Sequence, residues 1–222
     1  MKVCVSIRAS TVEEALTLME GVADADLLEL RADYLKSKKG LEKVSRYADK
    51  LIVTVRRASE GGLFRGSEVE RAKVIREALK VHPRYVDIEA SSPMASGLVE
   101  EARLAGVGVI ASSHSLKGTP SPRELMKAWR LCARLDPDIV KVVTTALKVA
   151  DNLTVLGLLL KADRPTVAFC MGPLGKPSRA LAPLFGAPFT YASLGEGLET
   201  APGQLSLWEV REVWRILSSG LA

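Results

Sequence analysis

Short apolar runs alternate with helical patterns along the whole chain, and this alternation restricts the possible folds more than any other sequence feature. The apolar runs predict strands at 2–7, 26–30, 51–55, 85–88, 107–111, 139–143, 166–170 and 189–192. The helical patterns predict helices at 11–20, 41–48, 68–80, 94–104, 150–161, 179–184 and 206–217, with a further helix beginning at Ser121. No linker or shift of composition divides the series.

Strands that alternate with helices pair in parallel, and eight such units predict a closed barrel. The expected fold is therefore an α/β protein with a (β/α)8 TIM barrel as a single domain over residues 1–222. The alternative is an open, doubly wound sheet. Such a sheet more often carries a glycine fingerprint after its first strand, and residues 6–10 contain no glycine.

Two predicted helices begin with capping signatures. Thr11 and Glu14 have the spacing of a capping box. Ser121, Pro122 and Glu124 place serine at the cap, proline in the first turn and glutamate at the third position. Both starts are therefore predicted from local sequence alone.

Composition indicates a globular protein of the cell interior. With 222 residues and 47% hydrophobic side chains, the chain can bury a core without disulfides or metals. No apolar run reaches the length of a membrane span, and residues 1–7 lack the pattern of a signal peptide, so we expect cytoplasmic residence. The widely spaced Cys4, Cys132 and Cys170 predict free, buried thiols. Two histidines exclude a multi-histidine metal centre.

The net charge of +5 suits either a nucleic acid or a small anionic substrate as partner. The basic residues are spread along the chain with few aromatics between them, so we do not expect nucleic-acid binding. The chain has a single asparagine, Asn152, and a single glutamine, Gln204. Depletion of these thermolabile amides beside many Glu, Lys and Arg predicts a thermophilic source.

Lys141 lies in the middle of a run that otherwise predicts a buried strand. Burying an ammonium group costs several kcal/mol unless the group is paired or gives up its proton. A buried lysine that gives up its proton is a nucleophile toward carbonyls. His114 ends another apolar run and adds a titratable imidazole, so the pair suggests Schiff-base chemistry with proton transfer. The alternative is a lysine that points outward between helices.

Polar side chains follow the second and third predicted strands, where the active sites of such barrels lie. Glu29 and Arg31 are two residues apart and so share one face. They lie either in the barrel mouth or in a buried structural ion pair. After the third strand we expect Arg56 to face the mouth and Arg57 to face outward. The following Gly61-Gly62 predicts a tight or mobile loop.

The fourth predicted strand carries Asp87 and Glu89 at the spacing of one face. Two acids that point into a barrel need cationic partners, and Lys141 and the arginines are candidates. A lone histidine is more often structural, but the position of His114 at a strand end beside these charges favours a functional one.

Two loops complete the predicted mouth. After the seventh strand, Gly175-Lys176 does not match a P-loop, because the spacing is wrong and proline follows. Arg179 is better placed to bind a carboxylate, helped by free N–H groups at the helix start. After the eighth strand, residues 195–204 form a glycine-containing loop that either closes over a ligand or serves as an ordinary connection.

Taken together, these residues resemble the type I 3-dehydroquinate dehydratase family over nearly the whole chain. The motifs that carry the resemblance are Glu29-Leu-Arg31-Ala-Asp33, Thr54-Val-Arg56, Glu60-Gly-Gly62, Ser112-Ser-His114, Lys141-Val, Ser178-Arg179 and Ala201-Pro-Gly-Gln204. The resemblance implies a TIM barrel of the shikimate pathway that acts on 3-dehydroquinate, usually a homodimer, without metal or organic cofactor.

The resemblance also implies three catalytic residues. Lys141 matches the lysine that forms an imine with the C3 ketone of 3-dehydroquinate. His114 matches the general base that removes the C2 proton and then helps the C1 hydroxyl leave as water. Glu60 matches the glutamate that orients this histidine.

For substrate binding, Arg179 matches the arginine that binds the carboxylate. The residues that match ring-hydroxyl ligands are Glu29, Arg31 and Arg56. In the lid, Gln204 matches the family glutamine, and Thr200 stands where serine is common. Asp87 matches a family acid of the charge network. Lys117 stands where many bacterial members have a second histidine.

Two alternative functions remain open at this point. A class I aldolase on the same barrel would also use a lysine imine on the sixth strand, but its sugar-phosphate substrates call for a phosphate cradle after strands seven and eight. A basic nucleic-acid-binding protein predicts a surface patch rather than charges at strand ends.

Overall fold

The computed structural model describes residues 1–219 and contains eight parallel strands in one sheet. The strands are β1 (Val3–Ile7), β2 (Leu27–Arg31), β3 (Leu51–Thr54), β4 (Tyr85–Glu89), β5 (Gly108–Ser115), β6 (Ile139–Thr145), β7 (Thr166–Met171) and β8 (Thr190–Ala192). Their order is β7-β6-β5-β4-β3-β2-β1-β8, so each strand lies beside its sequence neighbour and β8 returns to β1. The rings of Phe169 on β7 and Tyr191 on β8 lie 5.9 Å apart at the remaining seam. The predicted TIM barrel is confirmed as a nearly closed barrel.

Within residues 1–219, six α-helices lie between strands and a seventh follows β8. They are α1 (Val12–Glu20), α2 (Glu68–Leu79), α3 (Ala95–Leu104), α4 (Pro122–Ala133), α5 (Asp151–Leu159), α6 (Lys176–Leu181) and α7 (Leu207–Ser218). Ser121 and Glu124 form the predicted capping box on α4. On α1 only half of the predicted box forms, because Thr11 accepts from the Glu14 amide but the Glu14 side chain accepts from the Ser10 amide. Within residues 1–219 no helix has both the length and the apolar character needed to cross a membrane.

The second connection differs from the prediction, because Leu41–Lys50 is a 3₁₀ helix and not an α-helix. Leu41, Val44 and Tyr47 are three residues apart and face the core. A 3₁₀ helix has three residues per turn, so this spacing places them on one face. No side chain caps its start at Gly40, which removes one contribution that an α-helix would have had.

Side chains alternate between the two faces of the barrel wall. Leu28 and Leu30 on β2 pack outward against the helices, while Leu27, Glu29 and Arg31 point inward. The lower barrel interior is apolar and includes Cys4, Leu27, Ile52, Ile110, Ile139 and Val167. The polar inward residues lie nearer the C-terminal ends of the strands. All three cysteines are free and buried, as expected.

Two strands extend at least two residues further than the sequence predicts. β5 continues to Ser115 and β6 to Thr145, and the two strands pair along this extension. His114 therefore belongs to β5, where it lies opposite Val143. A catalytic group on a paired strand is held more rigidly than one on a loop.

Candidate active site

A cavity opens at the C-terminal end of the barrel, and with its mouth it holds about 450 Å³ of empty space. All nine predicted site residues line it, namely Glu29, Arg31, Arg56, Glu60, His114, Lys141, Arg179, Thr200 and Gln204. They come from six different strands and the segments that follow them. The parallel arrangement brings these strand ends together.

Lys141 points into the barrel and is 5% exposed, so the alternative of an outward lysine is wrong. Its Nζ atom lies 3.1 Å from Asp87 Oδ2 and 3.4 Å from Glu29 Oε1. The Nζ atom also lies 4.1 Å from the centroid of the Tyr191 ring. These contacts offset the cost of burial and aim the amine into the cavity.

The carboxylates beside Lys141 belong to a larger buried network. Burial would raise the pKa of Asp87, but the charges of Arg56 and Lys141 lower it well below its usual range. Burial also opposes ionisation of Glu29, yet Lys141 and Arg31 lower its pKa. The predicted cationic partners of the inward acids are thus confirmed.

Arg56 faces the cavity as predicted, and most of its guanidinium is already bonded. It donates to Asp87 Oδ2 at 2.6 Å, to Glu89 Oε1 at 3.2 Å and to Ser112 Oγ at 2.7 Å. Gly62 lies directly against this residue, since a Cβ at Gly62 would come within 2.1 Å of the Arg56 carbonyl oxygen. The glycine pair therefore permits a close approach of the loop to β3.

The alternative of a Glu29–Arg31 ion pair is wrong. Arg31 makes a bidentate pair with Asp33 instead, through Nε at 3.0 Å and Nη2 at 2.7 Å. Its Nη1 atom is directed at the Thr200 carbonyl oxygen, 3.5 Å away. Glu29 accepts hydrogen bonds from Ser6 and Thr54 in addition to its contact with Lys141.

His114 and Glu60 form a dyad at the cavity wall, with Nδ1 3.0 Å from Oε2. Burial and the charge of Arg56 lower the pKa of His114 to about 4, although the Glu60 contact opposes this shift. Burial would raise the pKa of Glu60, but the hydrogen bond from His114 lowers it to about 2. At neutral pH the imidazole is neutral beside a carboxylate. Its proton sits on Nδ1, and Nε2 keeps a free lone pair.

Arg57 does not face outward, so that part of the sequence interpretation is wrong. It is only partly exposed and donates from Nη2 to Glu60 Oε1 at 3.1 Å. Ser91 donates to the same oxygen at 2.7 Å. Neither residue was among the predicted site residues, because neither lies in a recognisable motif. The pair of adjacent arginines at the end of β3 was the sequence feature that could have indicated a role for Arg57.

Arg179 is 1% exposed and lies in α6, with its Cζ atom 4.3 Å from the centroid of the Phe169 ring. Its Nε and Nη2 atoms find no hydrogen-bond partner in the part of the chain that the structure describes. Burial lowers the pKa of this guanidinium to about 10. A buried, unpaired guanidinium is costly, and an anion with two oxygens would satisfy it.

The free N–H groups expected beside Arg179 are not available at the two preceding residues. The Ser178 amide donates to Asn152 Oδ1 at 3.0 Å, and Pro177 has no N–H. Asn152 also donates to the Val149 and Leu174 carbonyls at 2.8 and 2.7 Å. The single asparagine of the chain therefore anchors the loop that carries Arg179.

The loop after β8 folds over the cavity, and both Thr200 and Gln204 are buried. The Thr200 amide donates to Gln204 Oε1 at 2.7 Å. Gly203 has a φ of +73°, and a Cβ there would lie 2.0 Å from the Gly172 carbonyl oxygen. Glycine thus allows the loop to press against the end of β7. The movement of this loop as a lid stays a prediction.

No group of three or more His, Cys, Asp and Glu side chains within residues 1–219 is arranged to hold a metal ion. The barrel and its cavity define an enzyme of the (β/α)8 class, with a buried amine, a neutral imidazole and an unpaired guanidinium around one space.

Comparison with known proteins narrows this class. A sequence model of the Type I 3-dehydroquinase family matches residues 3–220. A 3-dehydroquinate dehydratase of Thermococcus gammatolerans is 46% identical over 201 residues, which cover 90% of this chain and 91% of the relative. The protein of that name from Pyrococcus abyssi is 37% identical over 214 residues, 96% of this chain and 97% of its own.

Solved structures agree with the sequence comparison. The 3-dehydroquinate dehydratase of Geobacillus kaustophilus HTA426 superposes with a TM-score of 0.88 at 26% identity, over 100% of this chain and 92% of that one. The type I enzyme of Clostridium difficile gives a TM-score of 0.84 at 25% identity, over 97% and 91% of the two chains. The chain therefore belongs to the type I 3-dehydroquinase family, as its motifs indicated.

The two alternative functions are not favoured. A 3-hexulose-6-phosphate synthase superposes with a TM-score of 0.63 at 18% identity, which shows a shared fold alone. Arg31, Arg56, Lys141 and Arg179 line the cavity beside carboxylates, and the family match does not favour a nucleic-acid-binding protein.

Proposed function

We propose that the chain catalyses the syn elimination of water from 3-dehydroquinate to give 3-dehydroshikimate, through an imine on Lys141. This is a hydro-lyase reaction of the shikimate pathway, which leads to chorismate and the aromatic amino acids. One observation carries the proposal. The buried amine of Lys141, the neutral imidazole of His114 and the guanidinium of Arg179 line the same cavity, and two of the guanidinium nitrogens have no partner among residues 1–219.

Imine formation is the first step. Once it has given up a proton, the Nζ atom of Lys141 attacks the C3 carbonyl carbon, and the carbonyl oxygen leaves as water. The resulting iminium is a cation, and it forms where the Tyr191 ring face lies 4.1 Å from Nζ. The iminium draws electrons from the neighbouring C2–H bond, so no metal or organic cofactor takes part in the scheme.

His114 performs both proton transfers of the elimination. Its Nε2 lone pair takes the C2 proton, and the C–H electrons pass into the iminium to give an enamine. The C1–O bond then breaks while His114 returns the proton to the departing hydroxyl, which leaves as water. Water hydrolyses the product imine and regenerates Lys141, so the net change is the loss of one water. Glu60 holds the imidazole in the required tautomer.

The remaining cavity residues bind the substrate in this proposal. Arg179 binds the carboxylate in a bidentate fork that satisfies its Nε and Nη2 atoms. Glu29, Arg31 and Arg56 contact the ring hydroxyls from the opposite wall. Thr200 and Gln204 cover the ligand and exclude water from the imine.

A covalent adduct in a relative supports this scheme. The Clostridium difficile type I enzyme was crystallised with covalent modified comenic acid. That relative shares 25% identity and the fold with this chain. Its adduct accords with covalent chemistry in the family.

Assembly and environment form a second part of the proposal. We infer a homodimer, cytoplasmic residence and a thermophilic source, on the family resemblance and the scarcity of Asn and Gln. Light scattering after gel filtration tests the dimer, and a single-chain mass would reject it. Thermal unfolding tests the thermophilic character.

Borohydride trapping tests the mechanism. Reduction in the presence of 3-dehydroquinate is expected to attach one ligand mass to Lys141, seen by intact-protein and peptide mass spectrometry. Lys141→Ala removes the adduct. Lys148→Ala is the matched control, because Lys148 is exposed and outside the cavity. An adduct that persists in Lys141→Ala, or its absence from the wild type, would refute the proposal.

A further inference from the structure

Glu60 is held from two sides, and each carboxylate oxygen has its own partners. Oε2 lies 3.0 Å from His114 Nδ1. Oε1 accepts from Arg57 Nη2 at 3.1 Å and from Ser91 Oγ at 2.7 Å. Arg57 also donates to Ser91, so the three side chains form a closed triangle behind the dyad.

Arg57 is itself fixed by a buried acid. Its backbone amide donates to Glu89 Oε1 at 3.0 Å, and its Nε atom donates to Glu89 Oε2. Glu89 is fully buried and is held in turn by Arg56 and Arg71. Arg57 is therefore anchored to β4, and its guanidinium contacts Glu60 at the end of the short 3₁₀ helix Ala58–Glu60.

We propose that Arg57 and Ser91 are positioning residues for the general base His114, and that they act through Glu60. Their two donors on Oε1 keep the carboxylate ionised and prevent its rotation, so Oε2 stays directed at Nδ1. Nδ1 then keeps its proton, and Nε2 faces the substrate with a free lone pair. This inference rests on the proposed function, and it assigns to that site two residues outside the family motifs.

The contacts favour positioning over a purely structural role. The pair of Arg57 with Glu89 joins two elements of the fold, but the pair with Glu60 does not, because Arg57 directly precedes the 3₁₀ helix that ends at Glu60. Ser91 is exposed, so its hydrogen bond to Glu60 contributes little to the core. The shared target of both donors is the carboxylate that contacts His114.

Other charged groups around the dyad stay unchanged in the tests below. They are Arg56 on the segment after β3, Asp87 and Glu89 on β4, Lys141 on β6 and Glu68 on α2, which approaches Arg57 Nε at 3.9 Å. Removing one donor from Oε1 makes protonation of the dyad easier. The acid limb of the pH profile should therefore move to higher pH.

Ser91→Ala is the first test, because an exposed serine can be replaced without loss of the fold. We expect kcat to fall about 3- to 10-fold, the size of one hydrogen bond, with the acid limb shifted upward. Ser92→Ala is the control at the neighbouring, buried serine. The neighbouring Ser92 donates to Glu68, so its loss leaves both Glu60 oxygens in place.

Arg57→Gln is the second test and should lower kcat by about 10- to 100-fold, since it removes a charged donor. Arg57→Lys should restore part of the rate, because an ammonium keeps the positive charge but lacks the planar set of N–H donors of a guanidinium. Arg76→Gln is its control. This residue makes a bidentate pair with Glu101 on the helix surface, away from the cavity.

The outcomes separate this inference from the proposed function. If wild type forms no adduct with 3-dehydroquinate, the proposed function fails. If wild type forms the adduct while Ser91→Ala keeps the wild-type rate and pH profile, this inference alone is overturned. A rate that falls equally at every pH, with the acid limb unmoved, also overturns it. Should Arg57→Gln not fold, Ser91→Ala decides.

Discussion

The Nζ atom of Lys141 lies 3.1 Å from Oδ2 of Asp87, and both side chains are buried. Asp87 also accepts from Arg56 at 2.6 Å, so one carboxylate neutralises two buried cations. The nucleophile of the proposed reaction therefore depends on an ion-pair network for its place in the barrel.

Asp87→Asn should destabilise the protein strongly. Removing one member of a buried pair leaves an uncompensated charge, which costs about 3–5 kcal/mol. Urea unfolding measures this loss. Glu212→Gln is the control, because its pair with Arg215 is exposed and its loss should cost at most about 1 kcal/mol. Equal losses in both variants would contradict the network described here.

His114→Ala should reduce kcat by about 10²- to 10⁴-fold, the usual contribution of acid–base catalysis. The fold should remain, because the imidazole lies at the cavity wall and not within the apolar core. Steady-state kinetics with circular dichroism measures both effects. A folded variant with near-wild-type turnover would remove His114 from the mechanism.

The dependence of kcat/KM on pH should also follow from His114. A base works only when neutral, and the pKa of His114 is lowered to about 4, so kcat/KM should decline only as the pH falls toward that value. The Glu60 contact raises this pKa. Glu60→Gln should therefore slow the reaction and also move the acid limb to lower pH. An acid limb that moves upward in Glu60→Gln would contradict the assigned direction.

Arg179→Met should raise the stability of the protein and weaken substrate binding. Methionine removes a buried charge without a partner, so the free energy of unfolding should rise by about 1–3 kcal/mol. The same change removes the carboxylate ligand, and KM should increase by about 10- to 100-fold. Thermal unfolding and kinetics measure the two effects. An unchanged KM would exclude Arg179 from substrate binding.

Asn152→Ala should lower the free energy of unfolding by about 2–4 kcal/mol, because the three hydrogen bonds of a buried side chain are lost. KM should also rise, since Asn152 anchors the residue before Arg179. Trp129→Phe is the control, because it removes one buried hydrogen bond, to Thr166, away from the cavity. If that control raises KM equally, the effect does not pass through the Arg179 loop.

Much of the fold and site was predictable from local patterns. The strand runs on β2 and β4 carry their charges two residues apart, and a strand directs such residues to one side. Eight parallel strands then bring their C-terminal ends to one rim. For this reason Glu29 and Lys141, 112 residues apart, could be expected near one another.

Other features were not predictable because they depend on partners from distant elements. Arg57 turns back toward Glu89 and Ser91 of β4 and its loop, which local sequence does not reveal. Arg31 pairs with Asp33 and leaves Glu29 to Lys141. The second connection is a 3₁₀ helix because its apolar residues recur every third position against the barrel.

The amino-acid order alone determined the eight βα units, the inward face of each strand and the set of side chains at the cavity rim. These follow from short-range periodicity and from the chirality of the backbone. Only the folded barrel decided which acid pairs with which base, and that Glu60 also accepts hydrogen bonds from Arg57 and Ser91. It also left two nitrogens of Arg179 without a partner among the described residues. The pairing of charges depends on distances between strands in the fold, because electrostatic energy falls with distance in space and not with separation along the sequence.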